Sequence, residues 1–305
     1  MLKNIAMRLV AVVITLVIPS HALAQNPAYG MVTHYVDDNM GNKMQELGAG
    51  FVRVDFNWYD MEPGRGYFIW GPTDSLVFNA RSRGLLVFAT LAYTPPWAND
   101  AQGINVPPYD LQDWYDFVYA VVQHYQADVW HFGMWNEPNL PNFFYGTIYQ
   151  YETLVSVGRQ AVKDANPGAN VVGPEVSWHA VCSGWFGQVM DSLWTAFDIV
   201  SVHYYFDACT DPGSFMDAYV APQLHGRPVW VSEVGWSTCT GGEDIQSQAY
   251  NTMLNAYIPR KGGYWTGLFF YDLYESGGCS WAIARPDWSN RPAFNTYQWW
   301  IQNYP

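Results

Sequence analysis

The chain has 305 residues, a length that fits one large α/β barrel, for which about 250 residues is typical, or two small domains. It carries 27 acidic against 14 basic residues, and a net charge of −13 argues against nucleic acid, anionic membranes and strongly acidic polymers as partners. The 16 Trp, 22 Tyr and 16 Phe exceed what a core requires, so an aromatic interior and an aromatic-lined cleft are both expected.

The first residues have the pattern of a secretion signal. Lys3 and Arg8 precede and flank an apolar run that ends at Ile18, and Ala22-Leu23-Ala24 is a small-x-small cleavage site. The apolar run is too short to span a bilayer, which needs about 20 residues. We therefore expect residues 1–24 to be a signal peptide, residues 25–305 to form a single domain, and the protein to be secreted or periplasmic.

Apolar segments rich in β-branched and aromatic residues recur along the chain and predict eight strands. In chain order they are Tyr29–Thr33, Phe51–Phe56, Leu85–Tyr93, Val129–Trp135, Val171–Gly173, Ile199–Tyr205, Val229–Ser232 and Gly267–Tyr271. Amphipathic segments between them predict helices. These are Asn39–Leu47, Thr73–Arg83, Leu111–Tyr125, Ile148–Ala165, Gly184–Thr195, Pro212–Leu224 and Ile245–Tyr257.

Strands that alternate with helices indicate parallel strands joined by crossovers, and near-continuous apolar strands indicate burial on both faces. We predict an α/β fold of the (β/α)8 TIM barrel type, with the functional site at the carboxyl ends of the strands. The alternative is an open doubly wound sheet, which the absence of a Gly-rich loop after the first strand disfavours.

Two glutamates lie at predicted strand ends. Glu137, in Trp135-Asn136-Glu137-Pro138, follows strand 4, and Glu233, in Ser232-Glu233-Val234-Gly235-Trp236, follows strand 7. A barrel brings both to one mouth, where two carboxylates can hydrolyse a glycosidic bond. The alternative for each glutamate is a structural ion pair.

At these residues the chain resembles the retaining glycoside hydrolases of clan A, most closely families 39 and 5 and bacterial endoglycosidases built on the same barrel. The resemblance extends from Gly50–Asp55 to Arg291–Phe294 and is carried most specifically by the motif around Glu137. It implies that Glu137 is the acid/base, that Glu233 is the nucleophile and that Asn136 binds the sugar hydroxyl beside the reacting carbon. For Asn136, capping of the following turn is the alternative.

The resemblance also implies roles for other residues. Arg53 matches the arginine beside the nucleophile, although it could instead pair only with Asp55. His203 and Tyr205 match a His-x-Tyr pair whose tyrosine hydrogen-bonds the nucleophile. Trp97 matches a sugar-stacking residue, with core packing as the alternative.

Four further aromatic positions are assigned to the cleft. His34, after strand 1, is placed in the cleft lining. Many clan members carry a Trp at the end of strand 8, where this chain has Tyr271, so Tyr271 is expected to take that role, or Trp281 or Trp236 to fill the space from a loop. Three further carboxylates near strand ends are the alternatives to the catalytic pair: Glu175, Asp272 and Glu275.

The four cysteines lack any CxxC spacing, which makes a zinc or thioredoxin-type site a poor interpretation. Two disulfides are expected in an exported protein. The sequence permits three pairings, and the barrel register favours Cys182–Cys209 and Cys239–Cys279, which lie on loops after neighbouring strands. The histidines show no metal-ligand spacing, so no metal and no cofactor are expected.

The sequence thus predicts a secreted, monomeric retaining glycosidase that cleaves β-linked neutral glycans by double displacement. The absence of room for an additional β-sandwich favours an open cleft and endo action. The alternatives are an exo-β-glycosidase of the xylosidase type, a transglycosylase and a catalytically inactive sugar-binding barrel.

Overall fold

The computed structural model describes residues 25–275 and 280–305, so the expected signal peptide over residues 1–24 lies outside the described residues. Eight parallel strands form a closed barrel in the order of the sequence, from β1 to β8. This confirms the predicted (β/α)8 architecture. The strands are β1 Asn26–Val32, β2 Ala49–Asn57, β3 Leu86–Ala92, β4 Val129–Met134, β5 Asn170–Val176, β6 Ile199–Tyr205, β7 Val229–Gly235 and β8 Trp265–Phe270.

Helices α1 to α9 lie between the strands in sequence, and α10 follows β8. They are α1 Asp38–Leu47, α2 Trp58–Met61, α3 Gly71–Arg81, α4 Leu111–His124, α5 Ile148–Ala165, α6 Trp178–Ser183, α7 Trp185–Leu193, α8 Pro212–Ser214, α9 Gly242–Tyr257 and α10 Pro292–Asn303. After α8 the chain continues as a π-helix over Phe215–Val220 and a 3-10 turn over Ala221–Gln223. In the described part of the chain, no helix is both long and apolar enough to cross a membrane.

Most predicted elements agree with the structure, and the differences concern strand ends and short helices. The predicted strand that stops at Gly173 continues to Val176, because Pro174 pairs with Ser201 and Val176 with Val202 of β6. Strand β7 likewise continues to Gly235, so Glu233 lies within the strand rather than after it. Helices α2, α6 and α10 have no counterpart among the predicted elements.

Aromatic rings fill the lower part of the barrel interior. Phe51, Phe88, Trp230 and Phe269 are buried there, with ring centroids 5.2 to 5.9 Å apart. Strand β1, next to β8, leaves space for these rings at Gly30. A Cβ added to Gly30 would lie 2.3 Å from the Phe269 ring, so only glycine fits. This apolar layer supports the polar residues that lie above it.

Helix α5 fixes the ends of the two strands next to the site. Its N-terminus is a capping box, in which Thr147 and Gln150 satisfy each other's backbone N–H groups. The buried hydroxyl of Tyr151 donates to the carbonyl oxygens of Met134, at 3.0 Å, and Pro174, at 3.1 Å. The ends of β4 and β5 are therefore held together from outside the barrel.

A disulfide joins Cys182 to Cys209, as the barrel register predicts, and links the segments that follow β5 and β6. The second predicted pairing, of Cys239 with Cys279, involves a residue outside the described ranges.

The aromatic layer yields a stability prediction. Phe269→Ala should lower the free energy of unfolding by about 3–5 kcal/mol, because it removes a fully buried ring and leaves a cavity. Phe78→Ala is the matched control, since Phe78 lies on α3 with its side chain 70% exposed, and it should change the value by less than about 0.5 kcal/mol. Urea unfolding of the two variants measures this, and equal losses would contradict the assignment of the barrel interior.

Candidate active site

The segment after β4 places Asn136 and Glu137 at the carboxyl end of the barrel. Trp135 and Glu137 have φ angles of 74° and 43°, in the left-handed region that side chains other than glycine rarely adopt. The Glu137 N–H donates to the Glu175 carbonyl at 3.0 Å, and the Trp135 ring N–H donates to the Phe143 carbonyl at 2.8 Å. Such backbone costs about 1–3 kcal/mol per residue and clusters at functional sites.

Glu233 projects from β7 with a hydrogen-bond donor on each carboxylate oxygen. The Tyr205 hydroxyl donates to Oε1 at 2.5 Å, and Nη1 of Arg53 donates to Oε2 at 3.1 Å. Burial, reinforced by Glu233, raises the pKa of Tyr205 well above its usual value, so the tyrosine remains a neutral donor. The two donors fix the orientation of Glu233.

Arg53 is the centre of this network. Its Nε and Nη2 donate to Oε2 of Glu175 at 2.9 and 2.7 Å, and Nη2 also donates to the Asn136 side-chain oxygen at 2.8 Å. Burial alone would lower the pKa of Arg53, but Glu175 and Glu233 outweigh it and raise the pKa above its ordinary value. Arg53 is thus a permanent cation shared by two carboxylates, whereas Asp55 pairs with His34.

Glu175 is the buried counter-ion of Arg53 and has no exposed surface. Burial raises the pKa of Glu175, while Arg53 opposes this rise. The Thr90 hydroxyl donates to the same Oε2 at 2.9 Å. A Cβ on Gly133 would lie 1.9 Å from Oε1 of Glu175, so a glycine in β4 is required to admit this carboxylate.

The two candidate catalytic carboxylates are close together. One oxygen of Glu137, one of Glu233 and a ring nitrogen of His203 all lie within 4.8 Å of one another. Retaining glycosidases hold their carboxyl groups about 5–5.5 Å apart, whereas inverting enzymes need about 6.5–9.5 Å to admit a water. The limit of 4.8 Å between these two oxygens is below the inverting range and favours the retaining arrangement.

His203 supports Glu137. The imidazole is fully buried in β6, and its Nδ1 lies 3.0 Å from Oε1 of Glu137 and 3.9 Å from Oε2 of Glu233. Among the described residues, His203 is the one basic side chain that pairs with Glu137, whereas Glu233 also contacts the permanent charge of Arg53. The two glutamates therefore differ in their partners: Glu233 contacts a permanent cation, whereas Glu137 contacts an imidazole.

The same three side chains have the spacing of a metal site, but their environment disfavours one. Glu137, His203 and Glu233 could each offer one ligand atom. Both Glu233 oxygens already accept hydrogen bonds, and one of them faces the Arg53 cation, which repels a second positive charge. The arrangement favours acid–base and nucleophilic chemistry over metal ligation.

Tyr271 lines the same cavity as Glu233, and His34 contacts Tyr271. His34 Nδ1 lies 2.8 Å from an oxygen of Asp55, and its Nε2 lies 3.3 Å from the Tyr271 hydroxyl. The hydrogen bond that His34 donates to Asp55 is the main cause of a raised pKa for His34, and burial partly opposes it. Tyr271 and Trp281 line the cavity that contains the carboxylates, and Trp281 makes an edge contact with Tyr205.

Trp97 does not line this cavity. Its ring N–H donates to the Glu62 carbonyl at 2.8 Å, its ring meets Trp58 edge-on, and the Arg65 guanidinium lies over it at 5.0 Å. These contacts are those of the packing alternative, in which Trp97 is half-buried against the core.

The role of Glu175 was not apparent from the sequence, where it was only an alternative catalytic carboxylate. The sequence predicts that the strand ends at Gly173 and so places Glu175 beyond it, whereas β5 continues to Val176. Asp272, a second alternative, is buried beside β8 and accepts a hydrogen bond from the Tyr274 N–H at 3.0 Å. Glu275 accepts from the Trp281 N–H at 2.9 Å, which indicates a loop-holding role.

Comparison with known proteins agrees with this site. Residues 99–225 match the model of the glycosyl hydrolases family 39. A β-xylosidase of Geobacillus stearothermophilus is 36% identical over 100 residues, which are 30% of this chain and 19% of that protein. A β-xylosidase of Caldicellulosiruptor saccharolyticus is 27% identical over 209 residues, which are 60% of this chain and 42% of that protein.

A solved family 39 glycoside hydrolase from Bacteroides cellulosilyticus has the same fold. It superposes with a TM-score of 0.74 at 18% identity, over 93% of this chain and 65% of that one. The present chain therefore spans less than two thirds of the length of these relatives. It resembles a clan A glycoside hydrolase, and the similarity is to family 39.

The Arg53–Glu175 pair yields a prediction on stability. Arg53→Met and Glu175→Met should each lower the free energy of unfolding by about 3–5 kcal/mol, because each leaves an uncompensated buried group. The double variant Arg53→Met/Glu175→Met should lose clearly less than the sum of the two. Urea unfolding measures the coupling, and additive losses would argue against a shared ion pair.

Asp272 yields a prediction on pH. Burial raises its pKa from 3.8 to about 7, so the folded state holds a proton that the unfolded state releases near pH 4. The stabilisation is complete below about pH 4 and is lost as the pH rises to about 7, by up to roughly 4 kcal/mol. Asp272→Asn should flatten this part of the stability curve, whereas Asn in place of the exposed Asp100 should leave it unchanged; urea unfolding between pH 4 and pH 8 compares them.

Proposed function

We propose that this protein is a retaining glycoside hydrolase that cleaves β-glycosidic bonds by double displacement. The observation that carries the proposal is the separation of Glu137 and Glu233, whose nearest oxygens are no more than 4.8 Å apart. The similarity to family 39 supports the same activity.

In the first step, Glu233 attacks the anomeric carbon while Glu137 protonates the leaving oxygen. Tyr205 and Arg53 hold both oxygens of Glu233, so the attacking atom is positioned before substrate binds. In the second step, Glu137 removes a proton from water, which displaces Glu233 and releases the sugar with its original configuration. Asn136, held by Arg53, lies beside the nucleophile and is assigned to the neighbouring sugar hydroxyl.

We assign endo action on a neutral glycan, by a secreted or periplasmic monomer. Exposed residues, among them His179, Asp207 and Thr240, line the far part of the cavity, so it opens to solvent instead of ending in a closed pocket. The second candidate is an exo-acting enzyme of the xylosidase type, which the two β-xylosidase relatives favour. Product lengths from β-linked polymers distinguish them, because an exo enzyme releases only monosaccharide at first.

The stereochemical outcome tests the proposal. With a panel of 4-nitrophenyl β-glycosides of xylose, glucose and mannose, the first sugar product seen by proton NMR should be the β-anomer. Initial release of the α-anomer would indicate inversion and overturn the mechanism.

Matched variants test the two roles. Glu233→Gln should lower kcat by about 10⁴-fold or more on every substrate, because no intermediate can form. Glu137→Gln should lose about 10²–10⁴-fold on oligosaccharides but far less in the first step on a 2,4-dinitrophenyl glycoside, whose leaving group needs no proton. Glu152→Gln on α5 is the control and should retain full activity, while equal losses for the two site variants on the activated substrate would remove the assignment.

A further inference from the structure

A second concave site lies on the outer helical layer of the barrel. It is a groove of about 320 Å³ between α9 and α10, called the α9–α10 groove below, and it is lined by Asn251, Asn295, Thr296, Trp299 and Trp300. None of these five residues lines the cavity that contains Glu137 and Glu233. The groove therefore has no part in the two catalytic steps, and a ligand can occupy it independently of the active site.

Trp299 is the exposed aromatic residue of this groove. It is 52% exposed, whereas the adjacent Trp300 is 8% exposed. The two rings meet edge-on with centroids 5.3 Å apart, and Tyr304 makes a second edge contact with Trp299 at 6.1 Å. An isolated exposed tryptophan is common on protein surfaces and needs no explanation. Here two neighbouring rings hold the indole in place at the wall of a groove.

Two amides in the groove have unused hydrogen-bonding capacity. The Trp300 ring N–H donates to the Asn251 side chain at 2.9 Å. Because a tryptophan N–H can only donate, the amide oxygen of Asn251 faces Trp300 and the NH2 group points away from it. Asn295 is exposed, and among the described residues neither its side chain nor that NH2 group has a hydrogen-bond partner. The groove thus presents free polar groups beside an apolar ring.

The groove is shaped before any ligand binds. The hydroxyls of Ser247 and Thr296, 2.7 Å apart, join α9 to α10, and the Trp300–Asn251 hydrogen bond joins the same helices further along. On the inner side of α10, the Tyr297 hydroxyl lies 3.0 and 3.2 Å from carbonyl oxygens of β1 and β8. Because α10 is fixed to both α9 and the barrel, binding in the groove costs little conformational entropy.

The chemistry of the lining fits a neutral sugar. Two amides, one hydroxyl and two indole rings line the groove without a charged side chain, and the net charge of −13 repels anionic ligands. The apolar face of a pyranose can stack on an indole ring while its hydroxyls bind amides at the edge. A protein partner would cover about 20–30 residues, far more than the groove provides. The volume is within the range of about 300–1,000 Å³ that is usual for small-molecule sites.

We propose that the α9–α10 groove is a non-catalytic binding site for a neutral β-glycan chain. One sugar ring stacks on Trp299, and the amides of Asn251 and Asn295 bind its hydroxyls. The site keeps the enzyme on a polymer between cleavage events. The inference rests on the proposed function for the class of ligand and extends it, because it adds a second contact with the polymer outside the active site.

Binding is tested by NMR on Glu233→Gln, which cannot cleave the ligand. The protein is labelled at the tryptophan ring nitrogens and titrated with xylohexaose, cellohexaose or mannohexaose. The Trp299 N–H signal, assigned by its loss in Trp299→Phe, should shift with at least one hexaose. The signal of Trp130, a tryptophan on β4 that is 43% exposed, is the control and should not move. A Trp299 signal that no hexaose shifts would overturn the inference.

The effect on activity is tested in the active enzyme. Trp299→Ala should lower kcat/KM for a soluble xylan, mixed-linkage β-glucan or glucomannan by about three- to tenfold, because one ring contact is lost. It should leave kcat/KM for the 4-nitrophenyl glycoside unchanged, since that substrate occupies the active site alone. Trp299→Tyr, which keeps a ring, should lose less, and Trp130→Ala is the matched control. Equal losses on the two kinds of substrate would contradict a separate binding site.

A second copy of this chain is the competing occupant of the groove. If Trp299→Ala converts a dimer into a monomer in size-exclusion chromatography, the groove is a self-association surface and the inference is wrong. Failure of the unmodified protein to hydrolyse any glycoside, with the hexaose-dependent shift of Trp299 retained, would count against the proposed function alone. Hydrolysis without that shift would remove only the groove as a glycan site.

Discussion

The site depends on the guanidinium of Arg53. This one group binds the buried Glu175, the proposed nucleophile Glu233 and the amide oxygen of Asn136, and so connects β2, β5, β7 and the loop after β4. A buried cation between two carboxylates is costly to desolvate, and replacement of such groups by apolar ones is often neutral or stabilising. Retention of this network in an otherwise apolar barrel is therefore better explained by chemistry than by stability.

Glu175 is linked to both Glu137 and Glu233. Its carboxylate accepts hydrogen bonds from Arg53, which also donates to Glu233, and its carbonyl oxygen accepts the N–H of Glu137. A displacement of Glu175 would consequently move both candidate catalytic carboxylates. The aromatic layer lies beneath Arg53, and the centroid of the Phe88 ring is 5.7 Å from the guanidinium carbon. This layer blocks movement of the guanidinium further into the barrel.

Much of this arrangement could be predicted from the sequence, because long apolar segments determine the number and order of strands. The closed barrel then requires Glu137 and Glu233 to meet, and errors of a few residues at strand ends do not alter this. Contacts between side chains that are far apart in the sequence could not be predicted as well. The partner of Arg53 was expected to be Glu233 or Asp55, whereas Glu175 depends on the continuation of β5 past Pro174 and on the space left by Gly133. The packing of Trp97 beneath Arg65 depends in the same way on tertiary contacts.

A raised pKa, taken alone, would indicate Asp272 as the general acid, which is the wrong residue. Burial raises the pKa of Asp272 to about 7, a value suited to a general acid near neutral pH. Its position excludes that role, because Asp272 is buried, does not line the cavity and binds the backbone of its own loop. A general acid must reach the leaving oxygen, and Glu137 lines the cavity beside Glu233. Geometry therefore makes Glu137 the better candidate for the acid, because a raised pKa matters for catalysis only at a group that can contact the substrate.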